Sequence, residues 1–160
     1  MTRIASLSPQ SARWGEFHCG DEQITGKLAR EAMRAGDGLQ SLYGVVDDGG
    51  TVLAALTLRA GVLAAPSSVL YELGQGELDV PTVHLEVLAV RREAQGRGYG
   101  RNLIDFAIRQ SERTRTLVGV RTLSLETTPQ SKPFYQRLGF DVASSPWPGG
   151  SWPMWLVLGS

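Results

Sequence analysis

The chain has 160 residues, 42% of them apolar and 20% charged, and its formal net charge is zero. These are the proportions of one ordinary globular domain with a full hydrophobic core, and they supply no global charge to draw the protein to nucleic acid. A single cysteine, Cys19, excludes an intrachain disulfide and points to the cytoplasm; two distant histidines, His18 and His84, make a metal site unexpected; and no apolar run approaches the ~18 residues of a membrane span.

Ile4 to Leu7 reads as a short first strand. Asp21 is placed as the N-cap of a helix from about Glu22 to Ala35, with Ile24, Leu28, Ala32 and Ala35 at helical spacing. Gly36-Asp37-Gly38 stops it. Leu42 to Val46 and Thr51 to Ala60 are two strands joined by the hairpin turn Asp47-Asp48-Gly49-Gly50. Gly61 to Pro81 is weakly patterned and reads as a long loop, either one wall of a substrate site or a variable insertion. Thr82 to Val90 is a central strand without strict alternation, which predicts burial on both faces. A glycine-rich turn and a helix to about Thr114 follow. Val120 to Glu126 is a strand, and Pro129 to about Leu138 a helix, with Pro129 in the first turn. Phe140 to Ala143 and Ser151 to Leu158 are the last strands. Pro153 favours an edge or strand-start position. Trp147, Trp152 and Trp155 supply either core or a homodimer surface. The order predicts a single-domain α/β (α+β) protein with a mixed sheet, largely antiparallel in its N-terminal half.

The chain is organised around Gln95-Gly96-Arg97-Gly98-Tyr99-Gly100, between a strand and a helix. Such a turn aims main-chain N–H groups at an anion, and the helix start adds the positive end of its dipole. Between Arg91 and Arg121 eight arginines face three acids, Glu93, Asp105 and Glu112, a local excess of +5 that suits a polyanion. A solvated helix face accounts for it equally well. Two nucleotide readings are set aside. A P-loop needs Lys after its glycines, and none is present. A dinucleotide fold needs G-x-G-x-x-G near its first strand, whereas G-x-G-x-G here lies past mid-chain.

Gln95-x-x-Gly98-x-Gly100, followed by Phe134-Tyr135-Gln136-Arg137-Leu138-Gly139-Phe140, resembles the GNAT superfamily of N-acetyltransferases. The likeness spans roughly Tyr43 to Leu158. It implies a GNAT fold: a twisted, mostly antiparallel mixed sheet of about six to seven strands with about four helices. It also implies acetyl-CoA as co-substrate and transfer of its acetyl group to a primary amine. The acceptor is a small molecule, a protein amine or an aminoacyl-tRNA. At the N-terminus, Phe17-His18-Cys19-Gly20 followed by Ile24, Leu28 and Ala32 resembles the toxin-type members that act on aminoacyl-tRNA, with a possible antitoxin partner. The arginine usual in their central strand is absent here. A non-catalytic CoA-binding module is the alternative of a different class.

The resemblance assigns the site residue by residue. Gln95, Gly96, Arg97, Gly98, Tyr99, Gly100 and Arg101 hold the pyrophosphate, with Arg91 or Arg92 as further phosphate contacts. Main-chain groups of Leu88, Ala89 and Val90, freed by a bulge in the central strand, receive the pantetheine arm. Ser131 adds a cofactor contact. Tyr135 matches the family's general acid. A phenol of pKa ~10 and a thiol of ~8.5 make that proton transfer slightly uphill. The acceptor ammonium must lose a proton before it can attack. His84, Glu86 and Glu126 are the candidate bases, and His84 falls where histone-type members place a catalytic glutamate.

Overall fold

A computed structural model describes residues 1–10 and 12–159. Among them the elements run β1 (Arg3–Ser6), α1 (Glu22–Gly36), β2 (Ser41–Val46), β3 (Val52–Val62), α2 (Ser67–Gly74), β4 (Pro81–Val90), α3 (Tyr99–Arg115), β5 (Thr122–Thr127), α4 (Lys132–Arg137), β6 (Asp141–Val142) and β7 (Trp152–Val157). A 3-10 turn at Arg92–Ala94 separates β4 from the glycines. The strands form a mixed seven-stranded sheet in the order β1-β2-β3-β4-β5-β7-β6. The pairs β1–β2, β2–β3, β5–β7 and β6–β7 are antiparallel. Strand and helix numbers match the sequence expectation. Among the described residues no helix is long and apolar enough to cross a membrane.

Two compact units are distinguished. The first comprises Met1–Arg59 and Leu85–Ala107. Asp21 caps α1 as expected: its Oδ1 accepts from the N–H groups of Gln23 and Ile24 at 2.9 and 3.1 Å. Leu28 and Ala32, flanked by Ile24 and Ala35, bury the helix stripe against Leu42, Val46, Val52, Ala55, Val87 and Ala89. Asp47 organises the hairpin turn, its Oδ1 accepting from the N–H groups of Gly49 and Thr51 at 2.9 Å each.

The second unit comprises Ala60–His84 and Ile108–Ser160. Here the structure corrects two expectations and decides a third. The stretch from Gly61 to Pro81 is not one long loop, because it contains α2. Val69, Leu70 and Leu73 of that helix pack on Leu63, Ala65, Val80, Ala143 and Trp155. Second, α4 begins at Lys132 rather than Pro129. Pro133 occupies the first turn, where its missing N–H has no intrahelical role. The residues before it form a turn in which the Thr128 carbonyl accepts from Ser131 and Lys132. Of the two places open to Pro153, the structure takes the strand start and not the edge: β7 lies between β5 and β6, and the proline sits second in the strand, opposite Glu126.

Gly44 in β2 is required by packing. A Cβ there would meet Leu7 Cδ1 at 2.5 Å and the Ala54 carbonyl oxygen at 2.8 Å. Leu7 can swing aside, but the strand backbone cannot. Gly44→Ala is therefore expected to cost about 1–3 kcal/mol, a fall in Tm of roughly 3–10 °C by thermal unfolding. An unchanged Tm would contradict this packing.

Candidate active site

In the first unit β4 ends in a tightly anchored exit. Arg91 is buried. Its Nε donates to the Val52 carbonyl at 2.9 Å, its Nη2 donates to the Trp14 carbonyl, and its guanidinium lies 5.2 Å from the centre of the Phe17 ring. These contacts give Arg91 a structural place rather than a phosphate contact. Arg92 is exposed, and its Nη2 lies 3.4 Å from His18 Nδ1. The Gln95 side chain bridges two carbonyls: Nε2 donates to Cys19 at 2.6 Å and to Val90 at 3.1 Å.

The glycine turn grows from this anchor. Gly96 and Gly98 have φ of +79° and +84°, and a Cβ at either would project into space with no protein atom within 4 Å. The requirement for glycine is thus one of backbone conformation, and the space a side chain would fill is open to a ligand. The first bond into α3 runs from Asn102 N–H to the Gly98 carbonyl, 3.0 Å. The N–H groups of Tyr99, Gly100 and Arg101, at the start of the helix, have no intrahelical acceptor by helix geometry. Arg97 and Arg101 are exposed beside them. This arrangement of donors and cations is one that binds an anion.

Glu86 also belongs to this unit. Its carboxylate takes Arg59 Nε at 3.0 Å and Lys27 Nζ at 3.6 Å. Two cations on one carboxylate make it a tie between β3, β4 and α1. Leu88 and Val90 are half-buried and Ala89 is buried. β4 runs unbroken to Val90, whose carbonyl is taken by Gln95. An apolar cavity of about 270 Å³ lies between the N-terminal segment and α1, lined by Trp14, Phe17, Leu28, Ala32 and Met33 among others.

The second unit holds His84, Ser131 and Tyr135. His84 is buried, with Nδ1 2.9 Å from Ser124 Oγ. Ser131 stands at the N-cap of α4 and makes no side-chain capping bond. Tyr135 packs edge-on against Phe134 and Phe140, ring centres 5.0 and 5.8 Å away. Burial pushes its phenol well above the ordinary value. Glu126 is exposed. The partners of Glu86 and the hydroxyls beside His84 were not anticipated from sequence. The alternating Thr122 and Ser124 on β5, unusual polar residues in a buried strand, were the signal available.

The raised phenol pKa has a measurable consequence. Below about pH 10 folded and unfolded chains both hold the proton, so the folded state keeps its full advantage there. Above that pH only the unfolded chain releases it, and stability falls by about 1.4 kcal/mol per pH unit until the folded phenol itself ionises. Denaturant unfolding at pH 8 and pH 11 should therefore show a steeper loss for wild type than for Tyr135→Phe. Equal losses would count against the buried phenol.

Residues 63–148, more than half of the chain, match the family model described as the Acetyltransferase (GNAT) domain. No curated protein matches the chain by sequence. Several solved structures share the fold. A bacterial toxin is 22% identical with a TM-score of 0.84, the match covering 99% of this chain and 91% of that one. A tyrosine-to-phenylalanine mutant of the AtaT toxin, bound to the C-terminus of the antitoxin AtaR and acetyl-CoA, is 21% identical with a TM-score of 0.74, covering 98% and 93%. AtaT complexed with acetyl-methionyl-tRNAfMet is 22% identical with a TM-score of 0.76, covering 98% and 95%. By its family match and its fold, the chain belongs to the GNAT acetyltransferases.

Proposed function

We propose that this chain is an acetyl-CoA-dependent N-acetyltransferase of the toxin type, a single domain over residues 1–160 acting in the cytoplasm. Its acceptor on this reading is the α-amine of an aminoacyl-tRNA. The observation that carries the acceptor is the likeness to toxin structures over nearly the whole chain, N-terminal half included, one of them holding an acetylated aminoacyl-tRNA. The N-terminal Phe17-His18-Cys19-Gly20 segment, resembling toxin-type members, supports the same acceptor. A protein amine or a small-molecule amine would use the same donor chemistry.

The residues fit the co-substrate. The open space at Gly96 and Gly98 and the helix-start N–H groups suit a pyrophosphate, and Arg97 and Arg101 add charge. Gln95 contributes by holding the turn rather than by reaching the ligand. The remaining N–H groups of Leu88 to Val90 and the side chain of Ser131 are the further contacts assigned. Acetyl-CoA supplies the activated acetyl thioester. The protein's own tasks are to strip a proton from the acceptor ammonium and to offer one to the departing sulfur. His84 serves the first task. Glu86, engaged by Arg59 and Lys27, serves it poorly. Tyr135 keeps its proton at physiological pH and serves the second by holding its O–H toward the departing sulfur.

Three measurements test this reading. Gly98→Val forces a β-branched residue to a φ of +84°, and calorimetry should find acetyl-CoA binding abolished in a variant that still folds. Tyr135→Phe should lower turnover, followed as free-thiol release, by about tenfold or more with affinity for acetyl-CoA nearly unchanged. Expression of the wild-type protein should arrest growth, and Tyr135→Phe should relieve the arrest. Harmless expression of an enzyme active on a free amine would refute the tRNA acceptor.

A further inference from the structure

Four polar side chains of the second unit are almost wholly removed from solvent: Thr82 at 1%, His84 at 6%, and Thr122 and Ser124 at 0% exposed. Thr82 and His84 alternate on β4; Thr122 and Ser124 alternate on β5. They form one continuous chain. Thr122 Oγ1 donates to Thr82 Oγ1 at 2.9 Å. Thr82 Oγ1 lies 2.7 Å from Ser124 Oγ, and Ser124 Oγ lies 2.9 Å from His84 Nδ1. Thr82 Oγ1 also lies 3.0 Å from the Thr122 carbonyl and 3.1 Å from the Val83 carbonyl.

Counting protons orders the chain. A hydroxyl has one proton and two lone pairs, and a carbonyl oxygen only accepts. Thr82 already accepts from Thr122. If it gave its proton to Ser124, its oxygen would face two carbonyl oxygens at close range with no proton between them. At a site buried this deeply that repulsion is costly. Thr82 therefore donates to a carbonyl and accepts from Ser124. Ser124, its proton spent on Thr82, has only lone pairs to offer His84. The imidazole must then carry its proton on Nδ1 and donate it to Ser124.

We propose that Ser124, backed by Thr82 and Thr122, is a positioning residue that keeps a proton on Nδ1 of His84. Neutral and protonated imidazole alike then hold the Nδ1 proton, and every exchange takes place at Nε2. The catalytic consequence rests on the reading of His84 as the base. On that reading the acceptor ammonium passes its proton to Nε2, leaving the nitrogen lone pair to attack, and the imidazolium keeps its Nδ1–H on Ser124 throughout. The base stays in one orientation and one tautomer, as a general base hydrogen-bonded by a neighbour requires.

The chain has two histidines, so ¹⁵N-labelled protein and long-range ¹H–¹⁵N spectra can report both, with His18→Gln assigning the pair. At a pH where His84 is neutral, Nδ1 should be the protonated, pyrrole-type nitrogen and Nε2 the bare one. The wild-type spectrum alone decides this, whatever the variants do to folding. A proton on Nε2 instead of Nδ1 overturns the proposal. Ser124→Ala should shift both nitrogens toward averaged values and Ser124→Thr should restore them; nitrogens unmoved by Ser124→Ala also overturn it. In turnover assays at saturating acetyl-CoA, Ser124→Ala should lose about tenfold in kcat with the KM for acetyl-CoA unchanged. Full activity in His84→Gln would refute the base reading and leave the tautomer to the spectra.

Discussion

The first unit depends on how carbonyl groups of the N-terminal segment are satisfied. Trp14 and Cys19 offer carbonyls to Arg91 and Gln95, side chains seventy or more residues later in the chain. The link is reinforced by main chain, since Arg92 N–H donates to the His18 carbonyl at 2.8 Å. A buried guanidinium is tolerable only where its N–H groups find acceptors. Arg91 finds two, with an aromatic ring beneath it. This fastening fixes where β4 ends and hence where the glycine turn begins. The turn's own residues supply conformation, and residues 14–19 supply its support.

Two ionisable side chains, His84 and Glu86, lie two residues apart on β4 and meet different surroundings. Glu86 is gripped by a guanidinium and an ammonium. His84 Nδ1 lies 2.9 Å from the Ser124 hydroxyl. A carboxylate whose oxygens are engaged by two cations suits a structural tie. On the proposed function the imidazole, oriented by that hydroxyl, is the proton acceptor. Sequence offered His84, Glu86 and Glu126 as candidate bases, and on the proposed function the two cations on Glu86 set it aside in favour of His84.

Much of the fold was legible because its signals are local. Asp21 before an amphipathic stripe, and Asp47 to Gly50 between two β-rich runs, carry their geometry in their own side chains. The signals that failed are those set by tertiary packing. α2 has no side-chain cap and only eight residues, so nothing local distinguishes it from loop; Val69, Leu70 and Leu73 become helical by burying against the sheet. Sequence places Pro129 in the first helical turn and the structure puts Pro133 there, because both prolines satisfy the same local rule. The charge count between Arg91 and Arg121 overstated the basic surface. Arg91 is buried on carbonyls, Arg115 pairs with Glu112 at 2.9 Å, and Arg121 donates to the Leu73 carbonyl. A guanidinium is as much a multiple hydrogen-bond donor as a charge, and a sequence reports only the charge.

The burial of Tyr135 constrains what it can contribute. A phenol in water is already a weaker acid than an alkyl thiol, by ~10 against ~8.5. Its place among Phe134 and Phe140 weakens it further. Complete transfer of its proton to a thiolate is then uphill by more than it would be at the surface. Donation of a hydrogen bond carries no such penalty, because it needs only the neutral phenol that burial protects. On the proposed function Tyr135 therefore acts chiefly by holding an O–H toward the negative charge that develops on sulfur, with solvent completing the protonation afterwards. The apolar surroundings that spoil the residue as an acid strengthen it as a fixed donor, since a hydrogen bond to a charged group gains most where water is excluded.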